Sequence, residues 1–341
     1  MRIAPVLGEA SRPYTTVGQR AKKADATEEQ AVAEPRPAIE VIELSKRYGP
    51  PESGLLAVDR ISFQVRAGET LAYLGPNGAG KTTTIRLLTG LIRPTAGTAL
   101  VAGADVLREP MAAKARVGVV PQRSNLYGEL SARDNLVFMA QLYGLPRAQW
   151  RPRADALLAQ FGLSERSESP FATLSGGMKR RLTIAAALVH DPAILFLDEP
   201  TTGLDVQAAR GLRTLIRDLR TRGVTIFLTT HLIAEAEQLA DRVAIIVKGR
   251  LVALDTPAAL RALVQGQNIL QVVVPGASAE LLAGLASAEG IQHVSQTGDT
   301  LHLAVTSVDI AVRQVTDISM RIGARIAAIH TVTPSLEDAF V

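Results

Sequence analysis

Residues 75–82 read Gly75-Pro76-Asn77-Gly78-Ala79-Gly80-Lys81-Thr82, and both the residue types and their spacing suit the binding of phosphate. Successive backbone N–H groups in such a loop form a concave nest for an anion. Its glycines admit positive φ and close approach of the backbone to a ligand. A helix opening at the end of the loop adds about half a positive charge. Lys81 is placed to reach the β- and γ-phosphates of a nucleotide, and the Thr82 hydroxyl to ligate Mg2+. A second chemical group lies at Asp198-Glu199, behind the apolar run Ile194-Leu195-Phe196-Leu197. Open α/β sheets hold their ligands at the carboxyl ends of strands, so Asp198 is expected on Mg2+, directly or through water. Glu199 beside it can polarise an attacking water. A third group is Leu174-Ser175-Gly176-Gly177-Met178. Ser175 reads as the N-cap of the helix that follows, and the two glycines let backbone amides approach a phosphate. Two phosphate-binding helix ends in one chain imply a composite site shared between two copies.

These groups need a scaffold, and the hydrophobic periodicity predicts an α/β one from about Ile39 onward. Half-buried strands are expected over 39–44 and 61–65. An apolar strand over 70–74 runs into the glycine-rich loop, and a helix runs from 81 to about 91. A buried strand over 117–120 is stopped by Pro121. Residues 125–190 read mostly as helix, broken at Gly144-Leu145-Pro146 and Ser169-Pro170. Strands at 194–197, 224–229 and 243–247 then alternate with helices at 206–221 and 233–239. That alternation predicts a parallel or mixed sheet covered on both faces, with the helical stretch inserted into it. A second unit begins near 267: strand 269–274, helix 278–288, strands 291–295 and 300–305, helix 308–321 and strand 325–332. The order β-α-β-β-α-β is the split βαβ, or ferredoxin-like, pattern.

A chain of 341 residues has room for about two domains, and 47% hydrophobic residues supply their cores. Charged residues are 21%, near the soluble average of about 25%, which excludes a largely disordered or fibrous chain. A net charge of +4 is too small to indicate nucleic-acid binding. The absence of cysteine excludes disulfides, thiolate metal sites and a cysteine nucleophile. No stretch approaches the roughly 20 apolar residues of a membrane span, and the first 30 residues carry no apolar core of a secretory signal. The chain is expected to be soluble and intracellular, with another polypeptide supplying any pore. Residues 1–37 mix Pro, Gly, Ala and both charges without a period and read as a disordered tail. The run Lys179-Arg180-Arg181 reads as a solvated helix face, and His190, His293, His302 and His330 as structural.

Taken together, the ordered motifs over about 39–255 resemble the ATP-binding cassette (ABC) ATPases, the motor subunits of ABC transporters. Gly75 to Thr82, continuing into Thr83, is the Walker A loop; Gln122 matches the Q-loop glutamine; Leu174 to Met178 matches the LSGGQ signature. Met178 stands where that signature usually has glutamine, which leaves the Ser-Gly-Gly contacts intact. Ile194 to Asp198 is Walker B, Gly203-Leu204-Asp205 the D-loop, His231 the switch histidine, and Tyr48 the aromatic residue that stacks on adenine. The resemblance implies a P-loop NTPase fold with a helical subdomain near 123–190 inside an ATPase domain of 38–255. A small α+β ferredoxin-like accessory domain occupies 267–341. It implies ATP and Mg2+ as cofactors, with Thr82, Gln122 and Asp198 at the metal. It further implies a head-to-tail dimer in which ATP lies between one copy's Walker A loop and the other's Ser175, Gly176, Gly177 and Asp205. Glu199 would be the general base, His231 would hold the γ-phosphate and Gln122 would sense metal and water.

The ending Thr333-Pro334-Ser335-Leu336-Glu337-Asp338-Ala339-Phe340-Val341 and the Gly-Met-Lys-Arg-Arg form of the signature are similar to drug- and lipid-exporting members of the daunorubicin-resistance type. Their permeases are separate chains. The expectation is therefore a peripheral subunit at the cytoplasmic face of the cell membrane that powers export and binds no nucleic acid. The alternatives are an importer subunit and a non-transport member acting on ribosome or DNA.

Overall fold

A computed structural model describes residues 36–262 and 268–332, so the tail read over 1–37 and the chain end at 333–341 fall almost wholly outside the described residues. Strands β1 (Ile39–Tyr48) and β2 (Leu55–Val65) pair antiparallel, and β3 (Thr70–Leu74), buried at every residue, leads to α1 (Lys81–Leu88). Next come β4 (Ala96–Val101), β5 (Ala104–Asp105), α2 (Pro110–Lys114) and β6 (Val117–Val120). The single sheet expected from strand–helix alternation is in fact two. Strands β1 and β2 fold with β4 and β5 into an antiparallel sheet of order β2-β1-β4-β5. Strand β4 escapes sequence reading because Ala96-Gly97-Thr98-Ala99 looks like a loop. Gly97 sits at φ 76°, where a Cβ would lie 2.2 Å from the Glu43 carbonyl oxygen. The register between β1 and β4 shifts at that point, so this glycine marks a bulge.

The helical stretch resolves into α3 (Ala132–Leu142), α4 (Trp150–Gln160) and α5 (Gly176–Ala187). It is followed by β7 (Ile194–Asp198), α6 (Val206–Thr221), β8 (Thr225–Thr230), α7 (Ile233–Leu239), β9 (Arg242–Val247), β10 (Arg250–Asp255) and α8 (Pro257–Ala262). The second sheet has the order β10-β9-β3-β8-β7-β6, with all neighbours parallel except the edge pair β10–β9. Its parallel strands are apolar on both faces, as a sheet covered twice requires. On one face Phe63 of the antiparallel sheet meets Tyr73 and Phe227, and Phe227 meets Tyr73 and Phe196, with ring centroids 5.4–6.1 Å apart. On the other, Leu197 and Leu228 join the same core as Leu136, Leu157 and Leu182 of the helical region. Phe227 is 0% exposed and touches the Phe63, Tyr73 and Phe196 rings, so Phe227→Ala is expected to cost about 3–5 kcal/mol, read as a lower urea midpoint.

The helical region is tied to the sheet at specific points. Ser131 caps α3 by accepting from the Asp134 amide, and the buried Asn135 side chain donates to the Tyr127, Leu130 and Ser131 carbonyls. Tyr143, at the end of α3, stacks on His190 at 3.7 Å and 8°. The His190 ring also meets the Val117 carbonyl at 3.0 Å, and burial pushes its pKa down, as suits a neutral structural histidine.

The remaining elements are β11 (Asn268–Val273), α9 (Ala279–Ala286), β12 (Ile291–Thr297), β13 (Thr300–Val305), α10 (Val308–Ile322) and β14 (Ala328–Val332). They form their own antiparallel sheet, in the order β12-β13-β11-β14. A separate core of Leu270, Val272, Leu281, Leu285, Leu301, Leu303, Val315 and Ile318 packs α9 and α10 on that sheet. Ser278 caps α9 and Gly323, at φ 75°, ends α10. Among the described residues no helix is long and apolar enough to cross a membrane.

Candidate functional site

The sheet order β3-β8-β7-β6 lines up four carboxyl ends, and each delivers one part of the site. β3 ends at Leu74 and opens the glycine-rich loop; β8 ends at Thr230, one residue before His231; β7 ends at Asp198; and β6 ends two residues before Gln122. The register makes Leu74 neighbour Thr230, Asp198 neighbour Thr229 and Val120 neighbour Leu197. Residues far apart in sequence are thereby brought to one edge.

The loop backbone is set by its glycines. Gly80 has φ 105°, and a Cβ there would meet the Ala57 carbonyl oxygen at 2.3 Å; at Gly75 it would meet the Ile246 carbonyl oxygen at 2.5 Å. Gly78 lies at φ 80°. Lys81 begins α1 and is 6% exposed, with Nζ donating to the Gly75 carbonyl at 2.8 Å and the Pro76 carbonyl at 3.1 Å. Asn77 stands exposed at the tip of the loop, Ala79 is buried beneath it, and Thr83 lies one residue along the helix from Thr82.

Glu199 is the hub. Its Oε1 lies 3.2 Å from Lys81 Nζ and 3.3 Å from His231 Nδ1. Its Oε2 accepts from Gln122 Nε2 at 3.1 Å and from Thr202 Oγ1 at 3.2 Å. Burial pushes its carboxyl up, but the Lys81 ammonium, helped by His231, more than offsets this and holds the pKa below the ordinary value. The group is therefore ionised at neutral pH, as a proton acceptor must be. Asp198 accepts from Thr82 Oγ1 at 3.0 Å on one oxygen and from Thr229 Oγ1 at 2.6 Å on the other. A hydroxyl and a carboxylate 3.0 Å apart form an all-oxygen donor pair that fits Mg2+, which typically takes only one or two protein carboxylates or hydroxyls beside phosphate and water.

The other expected residues sit elsewhere. Ser175 caps α5, accepting from the Met178 amide at 3.3 Å, and Asp205 caps α6, accepting from the Ala208 amide at 2.8 Å. Ser175, Gly177 and Asp205 line a separate cleft of about 590 Å³ with Gln160, Ala208 and Gly211. Gly177 has a reason within the chain: a Cβ there would approach the Ala208 Cβ to 2.8 Å, so only glycine lets α5 pack on α6. Gly176 begins that helix. Tyr48 ends β1, is 39% exposed and has Lys46 Nζ 5.3 Å from its ring centroid.

Three residues that sequence reading did not select are part of the same arrangement. Thr229 carries the Asp198 hydrogen bond, and its carbonyl and hydroxyl both accept from the Glu199 amide at 3.1 Å. Thr202 supports the Glu199 carboxylate. The third overturns an expectation: Arg180, read as part of a solvated face, is 8% exposed and turned into the protein. Its neighbours do meet the edge of the helix, Lys179 above the Phe171 ring at 5.7 Å and Arg181 donating to the Phe161 carbonyl at 3.2 Å. The only sequence signal was position: Thr229 and Thr202 flank motif residues, and Arg180 lies two residues past the signature.

A glycine-rich loop on a parallel strand, with a carboxylate from the next strand but one facing its lysine, defines a nucleoside triphosphatase. The ABC transporter family profile matches residues 58–202. The Nod factor export ATP-binding protein I of Paraburkholderia xenovorans (strain LB400) is 44% identical over 241 residues, 71% of this chain and 78% of that protein. The daunorubicin resistance ATP-binding protein DrrA2 of Streptomyces coeruleorubidus is 38% identical over 306 residues, 89% of this chain and 94% of that protein. Among solved structures, an ATP-binding subunit of an ABC transporter is 33% identical at a TM-score of 0.59, over 66% of this chain and 92% of that one. The ATP-binding cassette MJ0796, in a dimeric post-hydrolysis state bound to ADP and Pi, shares the fold at a TM-score of 0.59 and 24% identity, over 64% of this chain and 98% of that one. The chain belongs to the ABC transporter family and is an ATP-binding, ATP-hydrolysing member of it.

Proposed function

We propose that this chain is the ATP-hydrolysing subunit of an exporter whose membrane-spanning pathway is a separate polypeptide. The observation that carries the hydrolytic part is the convergence of Lys81, Gln122 and His231 on the one carboxylate of Glu199. The export direction rests on relatives named for Nod factor export and daunorubicin resistance, matched over most of their length.

In this reading the amides of residues 75–83 and Lys81 hold the phosphates, and Tyr48 stacks on the adenine. Thr82, Asp198 and Gln122 would hold Mg2+, which neutralises charge on the β- and γ-phosphates. Glu199 accepts a proton from water as the water oxygen bonds to γ-phosphorus and the bond to the ADP oxygen breaks. His231 donates to a γ-phosphate oxygen and steadies the developing charge. Ser175, Gly177 and Asp205 line a cleft that does not include Lys81, which supports their use, with Gly176 between them, on the nucleotide of a second copy in a head-to-tail dimer. Residues 38–255 act as the ATPase domain, with 123–190 its helical subdomain, and 267–341 as an accessory ferredoxin-like domain, a division supported by the latter's own core.

In this reading the permease docks on the helical region. Leu91, Met111 and Leu142, 63%, 76% and 67% exposed, border an apolar cleft of about 810 Å³ between that region and the sheet. Pulling the tagged full chain from detergent-solubilised native membranes with ATP and Mg2+ is expected to recover a multi-span protein at the cytoplasmic face. Recovery of ribosomes or nucleic acid without a membrane protein would replace the export reading with a non-transport one. Recovery of a permease together with an extracytoplasmic binding protein would replace it with import.

A further inference from the structure

Arg180 lies on α5, five residues beyond Ser175, and all the hydrogen bonds of its buried guanidinium go to main-chain carbonyls. Nε donates to Pro200 at 2.8 Å and Nη2 to Asp198 at 2.8 Å. These two carbonyls bracket Glu199. Glu199 itself has φ 45°, in the left-handed region that a residue with a Cβ enters only when its surroundings hold it there. On the far side Nη1 donates to Pro121 and, at 3.4 Å, to Gln122. Gln122 is the residue whose side chain donates to Glu199. One planar fork therefore grips the backbone on both sides of the Glu199–Gln122 hydrogen bond. Strands β6 and β7 are neighbours, so register alone brings their ends together, but it does not fix the turns that leave them.

We propose that Arg180 is a positioning residue for hydrolysis, clamping the Glu199 turn and the Gln122 turn so that the carboxylate keeps the geometry of a general base. The proposal rests on the reading of Glu199 as that base. Its chemistry needs arginine. A lysine ammonium offers three donors from one point, whereas the guanidinium reaches carbonyls on two chain segments in one plane. The cation is tolerated in the interior because Asp198 and Glu235 face it. Burial lowers its pKa to about 10 and those two carboxylates oppose the fall, so the charge persists at neutral pH. Because α5 also carries Ser175 and Gly177 at its start, the clamp joins the helix of the second phosphate surface to the base of the first.

The test compares full-length wild type with Arg180→Lys and Arg180→Gln. It measures single-turnover hydrolysis of radiolabelled ATP with Mg2+, equilibrium binding of ATP with EDTA, and thermal melting. The expected result is a fall in the hydrolysis rate of about 30-fold or more in both variants, with the ATP dissociation constant within about 3-fold of wild type, since misplacing a reacting group by about 1 Å costs on the order of 100-fold. Melting should stay within a few degrees for the charge-preserving Arg180→Lys. A rate within about 3-fold of wild type in Arg180→Lys overturns the proposal. So does a loss of hydrolysis matched by equal loss of binding, which marks a merely structural role. The double variant Glu199→Gln/Arg180→Lys separates the two readings. If Arg180 acts through Glu199, the double variant is no slower than Glu199→Gln alone. A further slowing by the full single-variant factor shows that Arg180 acts elsewhere and overturns the clamp. Near-normal hydrolysis by Glu199→Gln alone removes the general base itself.

Discussion

Glu199→Gln is expected to bind ATP and to hydrolyse it about 100- to 10,000-fold more slowly, the range a positioned general base contributes. The substitution is nearly isosteric, so the amide oxygen can still accept from Gln122 and Thr202, which now meet Oε2 at 3.1 and 3.2 Å. What is lost is the proton acceptor. The negative charge is lost as well, and with it the repulsion between Glu199 and the γ-phosphate, so ATP should bind at least as tightly as in wild type. Two copies joined through ATP then stay joined. Size-exclusion chromatography with ATP and Mg2+ should show a dimer for this variant under conditions where wild type returns to monomer as it turns over. Near-normal turnover would sink the assignment of Glu199 as base, and the hydrogen bond from Gln122 would then have to be read as structural.

Lys81→Ala should have the other large effect, on binding first. Nζ is held by two loop carbonyls at 2.8 and 3.1 Å and faces Glu199 at 3.2 Å, so it is a preset cation at the floor of the loop. Breaking a buried charge pair by removing one partner costs about 3–5 kcal/mol. Part of that falls on the free protein, because Glu199 loses the neighbour that holds its carboxyl pKa down and burial then pushes it up. The rest falls on the bound phosphates. ATP affinity measured by titration calorimetry should drop on the order of 100-fold, at about 1.4 kcal/mol per tenfold, and multiple-turnover hydrolysis should become undetectable. Unchanged affinity and turnover would mean that the glycine-rich loop does not hold the nucleotide.

Not every motif carried the same information. The P-loop was legible because its meaning is local: a strand, a run of glycines and a helix start suffice, and β3 ends and α1 begins as the pattern requires. The cap at Ser175 was legible for the same reason, since a side-chain oxygen and an amide three residues on make the bond. The strand order was not. Nothing in the stretch 194–198 says that it neighbours β6 and β8 rather than β3, yet that placement brings Asp198 and Gln122 within reach of Thr82 and Glu199. The antiparallel sheet was also hidden, because its β4 contains a bulge whose Gly97 breaks the alternation. Arg180 was read wrongly because a charged run on a helix is solvated in most contexts; burial depends on what packs against that face, and here the loops after β6 and β7 supply the carbonyls.

By itself, then, the sequence determined the α/β class, the phosphate loop, the Ser175 cap and the βαββαβ order of the last elements, and it marked Glu199 as the candidate base. All of these follow from interactions within a few residues, or from the period of apolar side chains. Only the tertiary structure decided which strand ends meet, that Glu199 takes a left-handed φ, and that a buried guanidinium holds it there. Those outcomes depend on surfaces contributed by distant segments, and a single chain's local pattern does not encode which surfaces will face each other.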